Sequence, residues 1–157
     1  MEINPRAPVV ISRETVVPFS PGQIWNLLTD IKAWNTWFRY VQKPSLAKKK
    51  EPLAQGSQFR WQLRTLALIS TITAFDSPRS LGWKSKGSGT RAITLWTFEP
   101  VESGTLVRIE HSMQGLMVLM FKDRTLTAME DVIENWLTSL RQALQNQSKH
   151  PETETES

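Results

Sequence analysis

Apolar positions in the last third of the chain fall at Leu126, Met129, Ile133, Trp136/Leu137, Leu140 and Leu144. Steps of three and four place them on one face of a long α-helix. The preceding stretches follow a different period. Phe59, Trp61 and Leu63 alternate with Arg60, Gln62 and Arg64, which predicts a half-buried strand, apolar on one face and basic on the other. Leu81 and Trp83 alternate with Lys84 and Lys86 in the same way. Thr94, Trp96 and Phe98 share a face in a strand over Ala92–Glu99, as do Val107, Ile109, His111 and Met113 in a strand over Thr105–Met113. The β-branched runs Val9–Val17 and Leu66–Phe75 read as further strands.

Punctuation between these runs sets the order of elements. Residues 1–8 hold two prolines and no periodicity, and read as a loose arm. Ser20-Pro21-Gly22-Gln23 is a helix start, with Ser20 as cap, Pro21 at the first position and Gln23 completing a capping box. Ile24, Leu27 and Leu28 then form a stripe with Trp25 beside it. Asp30 caps a second short helix carrying Ile31, Trp34, Trp37 and Phe38, with Trp34 and Trp37 on one face. A short strand is expected at Ser45–Lys50. Turns follow at Gln55-Gly56, Asp76-Ser77-Pro78-Arg79, Gly87-Ser88-Gly89 and Pro100–Gly104. The result is a strand, two short helices, about six strands in hairpins and a long helix, an α+β fold with an antiparallel meander.

Composition sharpens the picture at three points. Seven Trp stand against one Tyr, and Trp suits pocket walls and interfaces as well as cores. There is no Cys, which excludes disulfides, thiolate nucleophiles and zinc–thiolate sites. A reducing, cytoplasmic setting is compatible with that. The N-terminal sequence MEINPRAPVV lacks a basic region followed by an apolar one, so no secretory signal is expected. The longest apolar run, Leu116 to Phe121, falls far short of a membrane span. The net charge of +4 is uneven: residues 39–91 carry eleven Lys/Arg against two Asp/Glu, while 92–145 carry four against seven. The basic stretch is either a solvated outer sheet face or a surface for an anionic partner.

Five segments together resemble a known family. Ser20-Pro21 through Trp25 looks like its helix start after the first strand. Asp30-Ile31-Lys32-Ala33-Trp34-Asn35-Thr36-Trp37 looks like its D-x-x-x-W-x-x-W turn, and Phe75-Asp76-Ser77-Pro78-Arg79-Ser80-Leu81-Gly82-Trp83 like its D-x-P-R-x-L-x-W hairpin. Phe98-Glu99-Pro100 through Gly104-Thr105 resembles its F-x-P-x-x-x-G-T turn. Glu110-His111-Ser112-Met113-Gln114-Gly115 resembles the end of its final strand. The family is the START/Bet-v-1-like superfamily (SRPBCC), in its polyketide cyclase/dehydrase and lipid transport branch. The chain departs from the pattern after Trp37, where the family usually has a Pro and this chain reads Phe38-Arg39-Tyr40-Val41. The resemblance implies a helix-grip fold, a curved antiparallel sheet of about seven strands around the C-terminal helix, with ligands held between them. On this reading residues 1–146 are one ligand-binding domain and 147–157 a disordered tail.

Candidate chemistry is sparse. No phosphate-binding loop, metal-ligand spacing or cofactor motif is present, so no cofactor or metal is expected. His111 is the titratable group expected on the concave face, as a hydrogen-bond partner for a ligand, an acid/base or a structural histidine. Glu110 is its neighbour on the other face unless a bulge exchanges the two. The expected pocket shell is Trp37, Phe59, Trp61, Trp83, Trp96, Phe98 and His111, with Met129 and Ile133 from the helix. These rings either wall a cavity or fill it. Met113, Met117 and Met120, with Leu116, Leu119 and Phe121, form an adaptable apolar segment before the helix. It reads as a lid, a membrane-touching patch or the helix's plain first turn.

Three functions compete. The first is a carrier or sensor for a hydrophobic or aromatic small molecule. The second is a cyclase/dehydrase-type enzyme using His111 and Glu110. The third is a protein acting at an anionic membrane surface through its basic stretch. Nucleic acid is disfavoured, because stacking on bases needs aromatic and basic residues on one face.

Overall fold

The structure, a computed structural model, describes residues 2–149. Strand β1 (Val9–Val17) is followed by helix α1 (Pro21–Thr29), a 3-10 turn (Ile31–Ala33) and helix α2 (Trp34–Trp37). Six strands come next: β2 (Val41–Leu46), β3 (Gln58–Leu63), β4 (Leu66–Asp76), β5 (Ser80–Gly87), β6 (Thr90–Val101) and β7 (Gly104–Gln114). Helix α3 (Leu116–Met120) and the long helix α4 (Lys122–Lys149) complete the fold. The seven strands form one antiparallel sheet in the order β1-β7-β6-β5-β4-β3-β2. Strands β2 to β7 are a meander, and β1 closes it by pairing with β7. This is the α+β helix-grip architecture, and none of its helices among the described residues is long and apolar enough to cross a membrane.

Local sequence explains the entry into the helical layer. Ser20 caps α1 by accepting from the Gln23 amide at 3.2 Å, and the Gln23 side chain accepts from the Ser20 amide at 2.9 Å. The turn after α1 differs from a single short helix, and Asp30 makes no capping bond from its side chain. The 3-10 turn at Ile31–Ala33 leads into α2, where Trp34 is fully buried while Trp37, the helix's last residue, is only half buried. Trp34 donates its indole N–H to the Leu28 carbonyl at 2.9 Å, which ties this turn to α1.

The core is aromatic. Trp136, from the middle of α4, has Phe38, Trp96, Trp34, Trp61 and Trp83 around it at centroid distances of 4.9 to 5.9 Å. Phe59 closes the group from β3, edge-on to Trp34 at 5.5 Å. Offset and edge-to-face contacts of this kind add to the large apolar area each ring removes from water. Phe38, where the family usually turns on proline, lies stacked on Trp136 at 4.9 Å.

Several element boundaries move. The short strand expected at Ser45–Lys50 is β2 at Val41–Leu46, with an irregularity between Gln42 and Ser45 where Lys43 takes φ 50°. Pro44, which has no amide hydrogen, is accommodated there because β2 is an edge strand. Arg64 sits in the β3–β4 turn with φ 55°, not on the outer face, and pairs with Asp131 of α4. The N-terminal arm is pinned to β7: the Asn4 amide donates to Ser112 Oγ at 3.1 Å, and Asn4 Nδ2 to Gln114 Oε1 at 2.7 Å. Helix α4 begins at Lys122 and runs to Lys149, taking in Gln147, Ser148 and Lys149 of the expected tail. The rest of the expected tail, 150–157, lies outside the described residues.

Truncating Trp136 to Ala removes the ring around which the others are arranged. It is expected to destabilise the fold by about 3–5 kcal/mol, the range for a buried large aromatic. Denaturant unfolding with an unchanged m value checks this. A loss below about 1 kcal/mol would show that the rings do not form one packed unit.

Candidate functional site

The inner face of the sheet is filled at its centre and opens toward one end. Around Trp136 the rings leave no room. Toward the β3–β4 and β5–β6 turns the inward positions carry smaller or unbranched side chains, among them Leu63, Leu66, Ser85, Ala92 and Met113. Two spaces result. An inner cavity of only about 10 Å³ lies against Thr94 and His111, and Met129, Ile133 and Trp136 close it from the helix. A cavity of that size holds about one water molecule. Outside it runs an open groove of about 280 Å³ between the β3–β4 turn, α3 and the first turns of α4. Its walls include Met117, Val118, Phe121, Ala128 and Val132. The two spaces share Leu63, Leu66, Thr90, Met113 and Met129, so the groove leads toward His111.

A hollow of about 460 Å³ elsewhere is formed by residues 46–58 alone. It is the inside of the β2–β3 loop and brings no buried titratable group to a ligand, so size does not make it the site.

Polar atoms at the inner cavity are few. Trp61 Nε1 donates to Ser70 Oγ at 2.9 Å, and Ser70 Oγ lies 2.6 Å from Ser85 Oγ, which gives a satisfied buried chain. His111 Nδ1 is 2.9 Å from Thr94 Oγ1 on the neighbouring strand. His111 Nε2 is buried and has no partner among the described residues. Burial holds the imidazole well below its ordinary value of 6.5, at about 4, so the ring is neutral at physiological pH. A neutral ring offers one donor and one acceptor. If Thr94 donates to Nδ1, Nε2 carries the proton and donates; if Nδ1 donates to Thr94, Nε2 accepts.

The expected shell residues separate into groups. Trp61, His111, Met113, Met129 and Ile133 border the inner cavity, and Met117 joins Met113 and Met129 along the groove. Phe59, Trp83, Trp96 and Phe98 border neither space and pack ring against ring. Trp37 is also outside both, stacked on Phe38 at 6.3 Å. Glu110 is on the opposite face from His111. Both ladders of β7 run without a register shift, so period-two alternation holds and the two side chains do not share a site.

Ser85, Thr90 and Thr94, which border these spaces, and Ser70, which bonds Trp61 and Ser85 behind them, were not among the expected wall residues. For three of them the signal was parity, since Ser70 lies between inward Leu68 and Ile72, Ser85 follows inward Trp83 by two, and Thr94 precedes inward Trp96 by two. The segment before α4 is not that helix's first turn. It is a separate short helix, broken at Phe121, with Val118 as its buried side chain.

Comparison with known proteins agrees with the fold. No curated protein matches the sequence. Among solved structures, a hypothetical protein from Helicobacter pylori superposes with a TM-score of 0.79 at 14% identity, covering 88% of this chain and 89% of that one. A protein from Thermus thermophilus gives 0.75 at 15% identity, with 88% and 99% covered. A START superfamily protein from Mycobacterium smegmatis gives 0.72 at 13% identity, with 87% and 97% covered. At such identities the likeness is one of fold. The family model described as polyketide cyclase / dehydrase and lipid transport matches residues 8–145. The chain belongs to that family.

Proposed function

We propose that the protein is a cytoplasmic carrier or sensor that binds a small hydrophobic or aromatic molecule, lipid- or polyketide-like, in the groove between α3, α4 and the β3–β4 turn. The observation that carries this reading is an apolar groove leading to one buried, unpartnered imidazole nitrogen. Ligand sites are typically apolar walls with a few convergent polar atoms. At about 280 Å³ the groove lies at the small end of such sites, so it suits a single chain or a small ring system rather than a two-chain lipid. His111 Nε2 would meet a carbonyl or hydroxyl at the ligand's inner end. Of the central rings only Trp61 and Trp136 reach the inner cavity; the others hold the wall still.

A catalytic reading of the same groove would rest on His111 alone, since Glu110 faces away. Its depressed pKa makes it a weak base, better suited to holding a polar atom than to moving a proton.

Two measurements test this. A panel of fatty acids and polycyclic aromatics is expected to raise the melting temperature by about 5–10 °C at saturating ligand, with a stoichiometry of one. Ala128→Trp, which fills the groove from its half-buried helix wall, is expected to abolish the shift while keeping the fold. If no compound moves the transition of the unmodified protein, the reading fails.

The second concerns His111. With a folded value of about 4 against 6.5 when unfolded, the unfolded chain binds the extra proton between those pH values. This contribution therefore leaves stability unaffected above pH 6.5 and lowers it as pH falls toward 4, by up to roughly 3 kcal/mol. The stability advantage of the native protein over His111→Gln is expected to shrink over that window. Parallel stability curves, or the His111 imidazole itself titrating near 6.5 by NMR, would contradict the buried neutral assignment.

A further inference from the structure

Helix α3 carries an apolar face that the fold leaves uncovered. Leu116, Leu119 and Met120 are 68%, 63% and 62% exposed, and Met117 and Phe121 are also exposed. Contiguous apolar exposure of this kind marks an interaction surface. Two features say what covers it. First, basic side chains fence it. Lys122 and Arg124 follow Phe121 closely, with the Arg124 guanidinium 5.8 Å from the Phe121 ring. On the other side is the β5–β6 turn, where Gly89 lies against Met117 and where Lys86 and Arg91 stand opposite each other on adjacent strands. All four are exposed, and none makes an ion pair among the described residues. Asp123 is the one acid between Gly115 and Met129. Second, the Lys86–Arg91 juxtaposition is unfavourable by itself, since like charges directly opposite repel. An anionic plane relieves that repulsion.

We propose that α3 and the adjoining β5–β6 turn dock on an anionic lipid bilayer, the α3 side chains entering the headgroup–acyl boundary while Lys86, Arg91, Lys122 and Arg124 meet lipid phosphates. The four stems are long enough to reach the interface beside an inserted α3. Apolar insertion plus a basic rim is the two-part signal that gives stable surface attachment. A second copy of the chain is the weaker fit, because it would bring the same basic rim against itself. The proposal stands on Leu116, Leu119 and Met120, which line no part of the groove, while Met117, Phe121 and Arg124 border both this face and the groove.

The absence of cysteine makes the test clean. Met120→Cys, labelled with an environment-sensitive fluorophore, is mixed with vesicles of phosphatidylcholine with or without phosphatidylglycerol. A blue shift and co-flotation are expected only with the anionic vesicles, weakening as salt rises. Leu119→Glu is expected to reduce binding at least about tenfold, and Lys122→Glu or Arg91→Glu about fivefold or more each. Thermal unfolding confirms that these surface variants remain folded. Ala128→Trp, with its groove filled, is expected to bind vesicles unchanged, which separates this surface from the ligand site. Absence of flotation with anionic vesicles overturns the proposal. So does equal binding by Leu119→Glu, or a dimer that Leu119→Glu dissolves while the native protein ignores vesicles.

Discussion

Everything else in this molecule is arranged around the contact of Trp136 with the rings of the sheet and of the turn after α1. A curved sheet and a helix cannot interdigitate as two helices do. The space between them must be filled by large side chains or left empty, and emptiness forfeits dispersion contacts along its whole lining. Here Trp34, Trp61, Trp83, Trp96 and Phe38 meet Trp136 at its centre. Filling has two consequences. It fixes the depth and rotation of α4, since a ring in contact with five others cannot turn. It also removes the middle of the fold from use as a binding cavity.

What remains open is set by where the rings stop. Beyond Trp61 on β3 comes Leu63, and beyond Trp83 on β5 comes Ser85; on β7 the inward positions end in His111 and Met113. At that end α4 offers Met129 and Ile133 in place of an aromatic ring. The transition from ring to short or flexible side chain is staggered: Ser85, Ala92 and Met113 share a row with Phe59, and β3 carries one more ring, Trp61, before Leu63, so the groove opens past Trp61. His111 lies on the boundary. One ring nitrogen is matched to Thr94 and the other is buried without a partner among the described residues. An unmatched buried polar atom opposes folding, and it lies where the apolar groove ends.

The fold was legible because its signals are periodic and redundant. Alternation along Phe59–Leu63 and Thr105–Met113, the capping box at Ser20 and the stripe from Leu126 each specify one element, and together they allow one sheet around one helix. The extent of the space was not legible, because parity says which way a side chain points and nothing about how far the space extends. Trp83, Trp96 and Phe98 point inward as read, but they touch other rings rather than a cavity. Ser70 and Ser85 escape notice when the pattern is read for apolar residues, although Ser85 has the parity of Trp83; Thr94 shares the face of Trp96 and Phe98 in the sequence, yet nothing there marks it as the partner of His111. The turn at Ile31–Ala33 was illegible for another reason: periodicity does not separate a three-residue 3-10 turn from the α-turn after it, and a shared face does not say that Trp34 is covered while Trp37, the last residue of α2, is only half buried.

Helix α3 joins the two halves of the functional picture through sterics. Gly115 has φ 127°, and a Cβ there would collide with the Gly89 carbonyl, so the chain leaves β7 pressed against the β5–β6 turn. The helix that follows is five residues long and cannot be stable by itself. It is held by Val118, buried between sheet and α4, and by the Gly89–Met117 contact. Met117 and Val118 line the groove while Leu116, Leu119 and Met120 face away from the protein. One short element, anchored by one buried valine, thus has its inner side against the groove and its outer side free.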